Sequence, residues 1–154
     1  MPQSLSSILV HLVFCTKNRE PYITAEIEPE LHAYMAAVFR ECHSPALTIN
    51  GTTNHVHTLF ALSRTATVAG IVEEVKKRSS KWAKTTGGVR KTFQWQAGYG
   101  AFSIGQSNVA ALALQIKVAR APVNSRQQRT SDEKPNQSEA EHDALPGAGQ
   151  IQSR

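Results

Sequence analysis

Cysteine and long apolar segments are scarce in this chain. Two cysteines, Cys15 and Cys42, among 154 residues cannot build a disulfide framework, so we expect reduced thiols in a cytoplasmic protein. No apolar run is long enough to span a bilayer, and the opening residues do not carry the basic region of a secretory signal. We therefore expect no membrane partner and one domain with one core.

Acidic residues are too few to balance the basic ones, since 17 Lys and Arg stand against 12 Asp and Glu, a net charge of +5. Residues 1–119 hold 12 of the basic and 7 of the acidic residues, so they carry the whole excess. Within 64–91 the local charge is +6, which fits either a polyanion-binding surface or a solvated helix face. Residues 120–154 are neutral and nearly free of apolar side chains. We therefore expect a domain over 1–119 and a disordered polar tail over 120–154.

The most informative stretch is 53–62, Thr-Asn-His-Val-His-Thr-Leu-Phe-Ala-Leu, which is typical of a β-strand. Side chains alternate along a strand, so His55 and His57 share one face while Val56 points into a core. Two imidazoles on one rigid face can bind a divalent metal ion, and they can equally be half-buried sheet residues with hydrogen-bond partners. We interpret His11, on the first predicted strand, as a structural partner rather than a third ligand.

Hydrophobic periodicity predicts four strands, two long helices and a terminal helix. The strands are predicted at 8–16, 46–50, 53–62 and 92–104, and the helices at 26–43, at 68–84 after a Thr67 cap, and from a Ser107 cap onward. The order β-α-β-β-α-β is the split β-α-β pattern of ferredoxin-like α+β folds. We therefore expect a four-stranded antiparallel sheet with both long helices on one face, plus a C-terminal helix.

Two sets of apolar residues are expected in the core. They are Ile8, Val10, Leu12 and Phe14 on the first strand, and Phe93, Trp95, Tyr99 and Phe102 on the last. Gly98 and Gly100 interrupt the last strand and predict a bulge or a bend. An aromatic residue of this segment could also stack on a base if nucleic acid binds there.

Five motifs follow one another as they do in the single-tyrosine HUH transposases of bacterial insertion sequences, including the relatives associated with repetitive extragenic palindromes. The motifs are Leu-Val-Phe-Cys-Thr-Lys-Asn-Arg-Glu-Pro at 12–21, Ile-Asn-Gly at 49–51, Asn-His-Val-His at 54–57, Lys-Arg-Ser-Ser-Lys-Trp at 77–82 and Phe-Gln-Trp-Gln-Ala-Gly-Tyr-Gly-Ala-Phe-Ser at 93–103. The resemblance covers about residues 5–114. It implies a dimer that recognises hairpins in single-stranded DNA, with Mg or Mn held by His55 and His57. It also implies a tyrosine that joins covalently to the 5′-phosphate side of a nicked strand.

The sequence departs from this family pattern on the last helix. There the family has a nucleophilic tyrosine and, four residues later, a glutamine, whereas this chain has Gln115 and Ala119. Both changes coincide with the end of the match, so we hypothesise a lost or frameshifted catalytic helix. The resemblance then implies a transposase-like protein that binds DNA but is catalytically impaired. The alternative is a non-catalytic ferredoxin-like module for dimerisation or DNA binding.

Basic residues beside the histidine hairpin, on the second helix and after it are our candidates for DNA contacts. They are Lys17, Arg19, Lys77, Arg78, Lys81, Arg90 and Lys91. Positive side chains there would hold phosphates rather than read bases. Asn54, where the family often has Asp, is expected either to orient a histidine by a hydrogen bond or to shape the turn.

Overall fold

The computed structural model describes residues 4–85 and 91–118. The strands are β1 (Ile8–Cys15), β2 (Ala46–Gly51), β3 (His55–Leu62) and β4 (Gly100–Ile104), and the helices are α1 (Glu28–Glu41), α2 (Val68–Thr85) and α3 (Val109–Val118). The predicted order of elements is confirmed. The predicted tail over 120–154 lies outside the described residues, as do Arg90 and Ala119. Within the described ranges, no helix is both long and apolar enough to cross a membrane.

The four strands form one sheet in the order β2-β3-β1-β4, and all neighbouring strands are antiparallel. This is the predicted ferredoxin-like arrangement. Helices α1 and α2 pack on one face, where Val10, Leu12 and Phe14 of β1 meet the buried stripes of both helices. Thr67 caps α2 as expected, because its Oγ1 accepts a hydrogen bond from the backbone N–H of Gly70 at 3.1 Å.

The opposite face of the sheet carries a second, smaller apolar cluster. Leu9 of β1, Leu59 of β3 and Ile116 of α3 are buried together there. Helix α3 therefore lies on the face that α1 and α2 leave uncovered. Since His55 and His57 alternate with the buried Val56 and Thr58, they share this second face with Leu59.

The turn between β2 and β3 needs a glycine for reasons of space. A Cβ atom added to Gly51 would lie 2.1 Å from the backbone oxygen of His55. The backbone N–H of Thr52 donates to the same oxygen at 2.9 Å and closes the turn. Because this turn sets the β2–β3 register, it also fixes where the two histidines sit on the sheet.

The predicted last strand is too long, because pairing with β1 begins only at Gly100. Before it, Trp95 makes one isolated bridge to Thr16. Gly98 follows with a positive φ of 83°, which turns the chain and breaks the ladder, so the predicted bend is confirmed. Ser107 lies inside a 3-10 turn, Gln106–Asn108, and α3 starts at Val109, so the predicted start of this helix is wrong by two residues.

Three residues predicted to be buried are exposed instead. Ile8 is 46% exposed, Tyr99 44% and Phe102 58%. Ile8 is the first residue of β1, Tyr99 lies before β4 begins, and Phe102 is on an edge strand. Alternation along a strand predicts which face a side chain takes, but whether that face is covered depends on the neighbouring elements.

Candidate functional site

The two histidines of β3 lie side by side on the α3 face of the sheet. Their ring centroids are 5.1 Å apart and the ring planes are inclined by 72°. Both side chains are half-buried, so each ring has one exposed part. The strand therefore holds two imidazoles on one face, as the alternation of residues predicts.

The Nδ1 atom of His55 is held from within the turn. It lies 2.8 Å from Oδ1 of Asn54 and 2.9 Å from Oγ1 of Thr52. The Thr52 hydroxyl also donates to Asn54 Oδ1 at 3.1 Å. Because an amide oxygen only accepts, Nδ1 of His55 carries the proton and Nε2 keeps its lone pair. The expected orienting role of Asn54 thus has a hydrogen bond to support it.

The Nδ1 atom of His57 is held from the neighbouring strand. It lies 3.0 Å from Nε2 of His11, which is on β1. The two rings stack with centroids 5.3 Å apart and planes inclined by 23°. His11 is therefore a hydrogen-bond partner of His57 in this structure, in agreement with its interpretation as a structural partner.

Partial burial favours the neutral form of all three imidazoles. The pKa of His57 falls from 6.5 to about 4, mainly because burial disfavours the charged ring, with further repulsion from His55 and His11. Burial also lowers the pKa of His55, and the nearby positive charge of Arg19 lowers it further. Burial alone lowers the pKa of His11. Only a neutral imidazole has a lone pair for a metal, so these rings are in the form that can bind one at neutral pH.

The site offers two protein ligands rather than a complete coordination shell. Both Nδ1 atoms are engaged, so the Nε2 atoms of His55 and His57 are the ones that would face a metal ion. In 4–85 and 91–118, no group of three or more His, Cys, Asp and Glu side chains is arranged to hold a metal. Two imidazoles suit Mn²⁺ better than Mg²⁺, which prefers oxygen ligands. The remaining positions would have to be filled by water or by phosphate oxygens.

A basic loop lies at the end of the sheet next to His55. Lys17–Arg19 forms a 3-10 turn directly after β1, and Asn18 and Arg19 both have positive φ values, 55° and 56°. The turn is tied to the segment before β4, because Lys17 N–H donates to Gln94 O at 2.9 Å and Asn18 N–H to Gln96 Oε1 at 3.1 Å. Lys17 and Arg19 are exposed, and Arg19 is close enough to lower the pKa of His55. These two candidates therefore lie beside the histidine pair.

The basic candidates on α2 lie on the other side of the sheet from the histidines. Lys77 and Lys81 are exposed and can face phosphates there. Arg78 forms an ion pair with Glu41 at 2.6 Å, which raises the pKa of its guanidinium. Lys91 is exposed next to the undescribed residues. Among the candidates on described elements, the structure thus separates Lys17 and Arg19 from Lys77, Arg78 and Lys81.

A cleft between α2 and the segment 94–97 adds basic residues that sequence reasoning missed. It has a volume of about 400 Å³ and is lined by Lys76, Lys77, Ser80, Lys84, Gln94, Trp95, Gln96 and Ala97. Lys76 Nζ donates to Gln96 O at 2.6 Å and to Gly98 O at 2.8 Å, and it lies 5.5 Å from the centroid of the Phe14 ring. Ser79 is buried and accepts a hydrogen bond from Trp95 Nε1 at 2.9 Å. Hydrogen bonds with α2 therefore hold the segment that forms one side of the cleft.

Gln115, which the resemblance places at the family's tyrosine position, lies on helix α3. Gln115 is exposed on α3, next to the buried Ile116. Asn50 fixes the end of this helix, because its Nδ2 donates to Ile116 O at 2.8 Å and to Lys117 O at 3.0 Å. Asn50 is also the β2 residue paired with His57. Sequence reasoning assigned no role to Asn50, although an asparagine in a strand on the His57 face is a detectable signal.

Comparisons with known proteins identify a family from the sequence and similar folds among solved structures. The family model described as "Transposase IS200 like" matches residues 4–117. A crystal structure of a candidate transposase from Deinococcus radiodurans superposes with a TM-score of 0.58 at 15% identity, covering 76% of this chain and 96% of the other. A REP-associated tyrosine transposase bound to a REP hairpin gives a TM-score of 0.57 at 12% identity, covering 77% of this chain and 70% of the other. No curated protein sequence gives a significant match. The match over 4–117 shows that the chain belongs to the IS200-like transposase family and is a protein of DNA transposition.

Proposed function

We propose that this chain binds hairpins of single-stranded DNA together with one divalent metal ion and does not form the covalent link to DNA. The observation that carries the proposal is the histidine pair, in which both Nδ1 atoms are engaged and both rings are neutral. If the two histidines were purely structural, there would be no need for both rings to be held through Nδ1 on a partly exposed face of the sheet. The solved relative bound to a REP hairpin suggests the type of DNA.

The metal site would be formed by His55 and His57. A bound divalent ion would polarise a phosphodiester and offset the charge on a departing 3′-oxygen. The residues of this chain supply the two ligands and their orientation, through Asn54 and His11. Arg19, beside His55, would add a positive charge for the same phosphate.

The DNA path would run around the end of the sheet. The segment 94–98 connects the two groups of basic residues, because Lys76 holds it from α2 and Lys17 pairs with it from the loop after β1. A strand lying in the α2 cleft would pass Lys17 and Arg19 before it reaches the histidines. Contacts of this kind bind phosphates, so we expect binding to weaken steeply as salt rises.

Cleavage would fail because the nucleophile is missing. In the family reaction, the tyrosine oxygen bonds to phosphorus, the bond from phosphorus to the 3′-oxygen breaks, and a 5′-phosphotyrosine and a free 3′-hydroxyl result. A glutamine amide cannot take this role at position 115. Tyr22 and Tyr34 are packed against Phe93 and Trp82, with ring centroids 5.6 and 5.7 Å apart. Tyr99, the third tyrosine, is 44% exposed, but it lies before β4 in the motif at 93–103 and not on the last helix.

We also propose that the chain forms a homodimer. The support is a group of exposed apolar side chains on β4 and α3, namely Phe102 at 58%, Leu114 at 62% and Val118 at 58% exposure. Strand β4 is also an edge of the sheet, with unpaired backbone groups on one side. Light scattering on a size-exclusion column tests the mass of the particle in solution.

The test uses labelled hairpin DNA, Mn²⁺, and native and denaturing gels run in parallel. The native chain should shift the DNA on the native gel and leave no labelled band on the protein after denaturation. Replacing His55 and His57 by alanine should remove the Mn²⁺ dependence of binding. A labelled protein band from the native chain would overturn the assignment of an impaired enzyme.

Restoring the nucleophile gives a sharper test. The double variant Gln115→Tyr, Ala119→Gln should form the covalent adduct in Mn²⁺. Its matched control places the tyrosine one residue earlier, in Leu114→Tyr with Ala119→Gln, and should form none. If the native chain binds neither Mn²⁺ nor hairpin DNA, the alternative of a ferredoxin-like module with a structural histidine pair is correct instead.

A further inference from the structure

His11 lies outside the candidate metal pair and outside the five motifs named above. Its Nε2 lies 3.0 Å from Nδ1 of His57, and this contact joins β1 to β3. We infer that His11 is a positioning residue that fixes His57 in the tautomer able to bind a metal through Nε2. This inference rests on the proposed metal site, but its first test does not require a metal.

The hydrogen atom between the two rings decides the chemistry of His57. Two neutral imidazoles can share only one proton in this contact, so one ring donates and the other accepts. If His57 donates from Nδ1, its Nε2 has a free lone pair. If His11 donates from Nε2 instead, His57 must carry its own proton on Nε2 and cannot bind a metal there. A His57 that binds a metal through Nε2 therefore requires His11 to be the acceptor in this contact, and this is the direction that we infer.

The surroundings of His11 restrict how its ring can move. It is held on the central strand β1, between β3 and β4. On one side its ring stacks against His57, and on the other it contacts the Phe102 ring, with centroids 6.2 Å apart and planes inclined by 45°. The backbone register places Phe102 directly opposite His11. The ring is thus confined between two neighbours, which favours one lasting hydrogen bond to His57.

The Nδ1 atom of His55 is also held by neighbouring side chains, but the groups that contact it are different. There an amide oxygen of Asn54 and the hydroxyl of Thr52 contact Nδ1. In both histidines the nitrogen nearer the backbone is held by a neighbouring side chain, and Nε2 remains for a ligand. Such outer contacts orient metal-binding histidines, and their loss costs about 10–100-fold in metal affinity.

The first experiment measures the tautomer in the metal-free native chain. Long-range proton–nitrogen correlation spectra of the imidazoles at pH 7.5 show which ring nitrogen carries the proton. We expect the proton of His57 on Nδ1 and that of His11 on Nδ1. A proton on Nε2 of His57 would overturn the inference whether or not the chain binds metal or DNA.

The second experiment compares two variants at the same position. His11→Phe keeps a ring beside Phe102 but removes the acceptor, so we expect mixed tautomers of His57 and an affinity for Mn²⁺ about 10–100-fold lower. His11→Gln offers an amide oxygen to His57 Nδ1 and should restore both the tautomer and most of the affinity. Affinity is read from the paramagnetic broadening of the His55 and His57 ring signals as Mn²⁺ is added.

The outcomes separate this inference from the proposed function. If the native chain shows the Nδ1 tautomer but binds no Mn²⁺, the metal proposal fails while the positioning role of His11 stands. If His11→Phe is folded by circular dichroism and binds Mn²⁺ as the native chain does, the positioning role is refuted. If His11→Phe does not fold, the His11→Gln variant and the native tautomer decide the question.

Discussion

Acidification should destabilise the metal-free protein through its buried histidines, and His57 should contribute most. Folding lowers the pKa of His57 from 6.5 to about 4, so the unfolded chain binds a proton more readily than the folded one. The resulting stability is fully present above pH 6.5 and is lost as the pH falls from 6.5 towards 4. His11 and His55, whose pKa values are also lowered by burial, act in the same direction.

The size of the effect follows from the shift and from the exposure of the ring. A shift of this size would correspond to at most about 3.4 kcal/mol if the ring were fully buried. His57 is only partly buried, and water screens part of the penalty, so roughly 1–2 kcal/mol is the expected total. At pH 5 a little over half of this should be lost, about 1 kcal/mol.

Urea unfolding with a chelator present measures this loss. We expect the free energy of unfolding of the native chain to be lower at pH 5 than at pH 7.5, and a His57→Gln variant to show a smaller difference between the two pH values. Between pH 7.5 and 8.5 the free energy of unfolding should not change with pH in either protein. This comparison controls for other effects of the substitution. An identical loss between pH 7.5 and 5 in both proteins would refute the placement of His57 in a desolvated site.

Three further changes test the framework that holds the site. Gly51→Ala should cost about 1–3 kcal/mol in the free energy of unfolding, because its Cβ would meet His55 O at 2.1 Å; Gly105→Ala, at an ordinary φ of −69°, is the control and should change little. Asn50→Ala removes two hydrogen bonds to the end of α3 and should cost about 1–2 kcal/mol; unchanged amide exchange in α3 would contradict this. Lys76→Met keeps the contact with Phe14 but loses both bonds to the segment before β4, so amide exchange at 96–99 should increase, whereas Lys84→Met in the same cleft should leave it unchanged.

The order of elements could be predicted because it depends on patterns within short stretches. Alternation along 53–62 placed His55 and His57 on one face, and helical spacing predicted α1 and α2 with their buried stripes. The last strand was predicted eight residues too early, at 92 rather than at Gly100. Alternating aromatic residues resemble a strand whether or not a partner pairs with them, and the turn at Gly98 prevents that pairing.

The contacts that complete the site join residues far apart in the chain. His11 and His57 are separated by 46 positions, and Asn50 and Ile116 by 66. Each contact depends on the register between strands or on the position in which α3 packs on the sheet. No local sequence pattern determines that register or that position. For the same reason the sequence could not show that Arg78 is paired with Glu41.

The sequence by itself determined which chemical groups are available: two histidines on one strand face and a glutamine at position 115, where the resemblance implies the family's nucleophile. These are properties of residue identity and of local spacing, so folding cannot change them. Only the tertiary structure decided how the groups are used, because the hydrogen-bond partner of His57, its lowered pKa and the packing of α3 against the sheet depend on neighbours from distant parts of the chain.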